Sequence, residues 1–168
     1  MRSIHEIQKH VGALYKATLE SSVNVPLSVQ ALEWLAFAKD YSAAATLVAE
    51  QAKLLMLPRL QLTGQAVELA LKACLAASAE QPPVAHNLVE LYSLVAARGY
   101  SLSESQQAAI VHLSHFYYQD LGTNTKFKAR YPAQKAENLG GAVPDDATYV
   151  QLVRSLCEQA QRIVEKQR

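Results

Sequence analysis

Apolar residues recur at helical spacing along most of the chain, and no stretch alternates for long enough to make a strand. The clearest pattern runs over residues 63–99. Val67, Leu71 and Leu75 recur every four residues with Ala66, Ala70 and Cys74 beside them, forming a stripe that faces a core. Glu68 and Lys72 lie on a neighbouring line at i,i+4, in the favourable acid-before-base order. Pro82 and Pro83 end that helix, since neither has an N–H to donate and each disfavours the α-conformation before it. Asn87, with Glu90 three residues later, signals an N-cap. A second helix is therefore predicted from about residue 86 or 87, carrying Leu88, Leu91, Tyr92 and Val95 inward and stopping at Gly99.

On either side the same periodicity continues. Ile4, Ile7, Val11, Leu14 and Leu19 predict a first helix over 4–20, broken by the link at 21–26. Ser28 then caps a long helix reaching Leu57. Its apolar face is Val29, Leu32, Leu35, Ala36, Ala43, Leu47 and Leu54, flanked by Trp34, Phe37 and Tyr41, and Pro58 ends it. Ser103 with Gln106 forms a capping box opening a helix through Leu121. Ile110, Leu113, Tyr117 and Leu121 point inward there, supported by Val111 and Phe116, and Gly122 is the stop. Residues 123–145 are polar and turn-rich, with Gly140, Gly141 and Pro144, and loops of that length are usually functional or interfacial. Asp145 or Asp146 opens the last helix, striped by Tyr149, Leu152, Val153, Leu156, Ala160 and Ile163.

Composition agrees with this all-α pattern. Six glycines and six prolines gather in a few places, while helix formers dominate the rest of the 168 residues. A chain this long forms one domain, residues 1–168, with an extension at 1–25, a core from 26 and a long loop at 122–145. The net charge of +1 gives no global pull towards nucleic acid or lipid, so any such contact comes from a local patch. Cys74 and Cys157 sit on apolar helical lines and read as buried thiols. No apolar run reaches the roughly 18 residues of a membrane span, and the N-terminus lacks a signal-peptide core, which makes a cytoplasmic location the expectation.

The chemistry is sparse. Gly140 and Gly141 lack the spacing and lysine of a phosphate-cradling loop, and no cofactor is expected. His112 and His115 are three apart, but no acidic residue or cysteine joins them, so no metal site is expected. His86, just before the Asn87 cap, reads as hydrogen-bonded to a helix end. One local patch stands out: Lys126, Phe127, Lys128, Arg130 and Tyr131 interleave three cations with two aromatics, a pattern that meets phosphates with charge and bases with rings. The competing reading has the two rings pinning the loop to the core while the cations are solvated.

Taken together, the segment ELALKACL at 68–75, HNLVEL at 86–91, the tyrosine-rich end of the next helix and ARYP at 129–132 resemble a HEPN domain, the higher-eukaryote and prokaryote nucleotide-binding module. The preceding WLAFAKDYSAAATLV at 34–48 is similar to that family's first core helix. The resemblance covers residues 31–163. It implies an up-and-down helical bundle of five to six helices that commonly pairs as a homodimer. It also implies one of two functional groups: metal-independent ribonucleases of toxin or defence type, or non-catalytic members that bind RNA, a nucleotide or a protein partner such as a nucleotidyltransferase.

The ribonucleases carry an arginine followed four to six residues later by a histidine, which together handle the 2′-hydroxyl proton and the phosphate charge. Here Arg130 has no histidine after it, and the last histidine of the chain is His115. The expectation is therefore a binding or interaction module rather than an enzyme. The enzymatic alternative is a rearranged site using His112 or His115 with Arg130 of the partner subunit.

Overall fold

The computed structural model describes residues 25–51, 55–117 and 144–167. Among these, the chain forms five helices and no strand: α1 (Leu27–Gln51), α2 (Met56–Ala77), α3 (Leu88–Ala96), α4 (Glu104–Tyr117) and α5 (Asp146–Lys166). The helix expected over 4–20, the stop at Leu121 and Gly122, and nearly all of the 122–145 loop lie outside the described residues.

The bundle is built around α2. Thirteen of its 22 residues are buried, so it is apolar on nearly every side, as the innermost helix of a bundle has to be. Among the described residues it is the one helix that packs against each of the other four. Val67, Leu71 and Leu75 lie wholly inside, with Leu88, Leu91 and Val95 of α3, Ile110 and Leu113 of α4, and Leu152 and Leu156 of α5 closing round them. Burying each of these large side chains contributes about 1.5–3 kcal/mol. Cys74 and Cys157 are free thiols in this core, and the Cys74 Sγ reaches the Leu156 carbonyl at 3.6 Å.

Three helix starts follow their sequence signals. Asn87 Oδ1 accepts the backbone N–H groups of Val89 and Glu90. The Ser103 backbone N–H donates to Gln106 Oε1 at 3.0 Å, and the Gln106 N–H donates back to Ser103 Oγ at 3.3 Å. Asp145 Oδ1 accepts the Thr148 N–H at 2.7 Å. After α3, Gly99 adopts φ +83, a conformation that favours glycine.

The region 27–63 departs from expectation. Instead of one helix reaching Leu57, α1 ends at Gln51 and α2 begins at Met56, with Leu55 as its N-cap residue. Pro58 does not terminate a helix. It stands in the first turn of α2, where backbone N–H groups have no intrahelical partner and a proline removes nothing. Nor does Ser28 cap α1, because the N–H groups of Val29 and Gln30 already bond the Pro26 carbonyl.

The inward face of α1 also differs. Val29, Ala36, Ala43 and Leu47 are exposed, and the buried line is Ala31, Leu35, Ala38 and Ala45. Three of those four are alanines, small enough to let α1 lie close against α2. Phe37 and Tyr41 are left exposed, at 54% and 38%, with Trp34 half-buried beside them. On α4, Val111 is likewise 49% exposed rather than a core support.

Candidate functional site

Because α2 is surrounded, its one acid has nowhere to go but inward. Glu68 is 3% exposed, the only charged side chain buried among the described residues. A buried carboxylate needs donors on both oxygens, and three side chains supply them. Lys72, one turn on, donates from Nζ to Oε1 at 2.7 Å. His86, at the entry to α3, places Nδ1 3.0 and 3.1 Å from the two oxygens. The hydroxyl of Tyr117, the last residue of α4, donates to Oε2 at 2.6 Å.

Tyr117 reaches this point because Gly64 leaves room for its ring. A Cβ at Gly64 would lie 2.3 Å from Tyr117 Cδ2. The same hydroxyl is 2.7 Å from the side-chain oxygen of Gln65. A hydroxyl has one proton, and the ionised carboxylate is the stronger acceptor.

Burial pushes the Glu68 carboxyl up, but the donors from Lys72, Tyr117 and His86 together outweigh it and hold the carboxyl below its ordinary range. Glu68 is thus ionised at neutral pH and can only accept. Of the groups around it, His86 opens furthest to solvent, at 41% against 14% for Lys72. His86 is therefore tied to a carboxylate on α2, a partner that its position before the Asn87 cap did not suggest.

The histidines at 112 and 115 belong to a different place. His112 Nδ1 lies 2.6 Å from the Tyr149 hydroxyl, at the seam of α4 and α5, with its ring 5.1 Å from that of Phe116. Burial raises the Tyr149 phenol, so Tyr149 keeps its proton at neutral pH, and the tautomer of His112 decides which of the two donates. Burial, followed by the proximity of His115, lowers the proton affinity of His112. His115 occupies the last turn of α4, where the helix dipole favours a base. Lys126, Phe127, Lys128, Arg130 and Tyr131 lie outside the described residues.

Two adjoining grooves run between α1 and α5, of about 590 Å³ and 450 Å³, sharing Ser42, Thr46, Val150 and Arg154 as walls. Two of their cations are matched by acids. Arg59 pairs with Asp146 at 2.9 Å, and Arg154 with Glu158 at 3.0 Å. No group of three or more metal-ligating side chains converges among the described residues, and none of their helices is long and apolar enough to cross a membrane.

Glu68 escaped the sequence reading because an i,i+4 Glu–Lys pair is the ordinary signature of a solvated helix face. The signal that could have found it is the apolar crowd around it. Ala66, Val67, Ala70 and Leu71 narrow the polar side of α2 to the line of Gln65, Glu68 and Lys72.

Fold and site together define an all-α bundle domain organised on an acid-centred polar cluster. The chain belongs to the HEPN domain family, whose profile matches residues 31–168. That family places it among nucleotide-binding and ribonuclease-like modules. No curated protein and no solved structure gives a significant match to the chain.

Proposed function

We propose that this HEPN domain is a non-catalytic, homodimeric module that binds RNA or a nucleotide through Lys126, Lys128 and Arg130 for phosphates and Phe127 or Tyr131 for stacking. The observation that carries this reading is the interleaving of three cations with two aromatics in a chain whose net charge is only +1. Two further features support it. Arg130 has no histidine after it, so the family's arginine–histidine pair cannot be assembled within one chain. And the exposed Phe37 and Tyr41 on α1 offer an apolar face suited to a second copy.

Fluorescence anisotropy with a short single-stranded RNA tests the assignment. Replacing Lys126, Lys128 and Arg130 together by alanine is expected to weaken binding at least tenfold and to flatten the log–log salt dependence by about 2. Unchanged affinity would sink it. The same RNA, incubated with the protein in chelator-containing buffer, is expected to stay intact; cleavage lost in His112→Ala or His115→Ala would instead establish the enzymatic alternative.

A further inference from the structure

We propose that α1 is the seam of the homodimer: two copies run antiparallel along it, Lys39 of one copy pairing with the partner's Glu50 and the reverse. This deepens the homodimer reading above and rests on it. The inference begins with the charges that line the two grooves between α1 and α5. Arg59 is matched by Asp146 and Arg154 by Glu158, which leaves Lys39 on one groove and Glu50 on the other with no ion-pair partner among the described residues. The two stand about three turns apart on one side of α1, roughly 16 Å along its axis. A second copy, turned end for end about a two-fold axis, carries the same charges at the same spacing in reverse order, so both pairs form at once. Setting Lys39 against the partner's Glu50 also fixes the register, with the two-fold axis passing between Ala44 and Ala45.

The side chains that this register brings together fit one another. Leu47, 58% exposed, falls opposite the partner's Ser42. Ser42 and Thr46 wall both grooves, so the leucine enters space that the bundle leaves open. Ala43 and Ala44 lie next to the axis, where small side chains let two helices approach to the ordinary distance of about 8–10 Å. On the opposite flank Tyr41 comes over the partner's Val48, which brings the exposed aromatic side of α1 to the rim of the same seam. Apolar contact along the helix supplies the affinity, and the charge pairs at the two ends of the seam set its direction and register.

The test is analytical ultracentrifugation of the full chain over a series of concentrations. Lys39→Glu and Glu50→Lys are each expected to weaken dimerisation about tenfold, because two attractive pairs become two repulsive ones. An equimolar mixture of the two variants is expected to regain the wild-type dissociation constant, since the heterodimer restores opposite charges at both ends. The chain carrying both substitutions is expected to do the same, which shows that neither change harms the fold. A wild-type dimer that neither reversal weakens, or a mixture no tighter than its components, would overturn this seam and leave the homodimer reading standing. A chain monomeric at every concentration leaves α1 to a different occupant and would overturn both.

Discussion

An ionised carboxylate inside a helical core is tolerated only while its donors stay in place, which makes Glu68 the most sensitive single position in this bundle. Glu68→Ala strips Lys72, His86 and Tyr117 of their common acceptor. Breaking a buried charged cluster from one side typically destabilises by about 3–5 kcal/mol, and urea denaturation is expected to show a loss near the lower end, since Lys72 retains some solvent. The pH dependence follows from the direction of the shift. The folded-state carboxyl is held below its ordinary value of 4.5. Its contribution is therefore complete above that value and is lost as pH falls through the lower, folded-state one. Acid titration of stability is expected to be shallower below pH 4.5 in Glu68→Gln than in the wild type.

Gly64 gives a second test at this scale. A mid-helix glycine weakens a helix by about 1 kcal/mol relative to alanine, yet here Gly64→Ala is expected to destabilise by about 1–3 kcal/mol, because the added methyl would strike the Tyr117 ring. Combining it with Tyr117→Ala should recover part of that loss, measured as non-additivity in the double mutant.

Among the elements, what was legible depended on whether the signal was local. Caps are local: Asn87, the Ser103–Gln106 box and Asp145 each act within three or four residues, and all three stand where the sequence places them. Asn87→Ala is expected to lower the melting free energy by about 1 kcal/mol. The boundary between α1 and α2 was not legible, because Pro58 satisfies two opposite rules. It can follow a helix end or occupy a first turn, and only the packing of α2 chose the second. The inward face of α1 was ambiguous for a related reason: the helix is apolar on more than one side, so periodicity alone could not select the alanine ridge over Val29 and Leu47. Glu68 was hidden by the same kind of competition, since its pairing with Lys72 is local while its burial depends on the elements packed around α2.

At the scale of the whole molecule, the family and the all-α bundle were readable, whereas the polar cluster at its centre required the tertiary structure. The two cysteines show how the interior shields chemistry. Burial raises the Cys157 thiol to about 11 and the Cys74 thiol further still. Iodoacetamide at pH 8 is therefore expected to modify neither in the native protein and both in denaturant, as read by mass spectrometry.

The aromatic stripe on α1 also brings an optical consequence. The only tryptophan of the chain, Trp34, sits half-buried beside Phe37 and Tyr41, so indole emission responds to whatever dries that face. If a second copy covers it, the emission maximum shifts to the blue as protein concentration rises, and Phe37→Glu abolishes the shift. The protein thereby carries a built-in, label-free gauge of its own association.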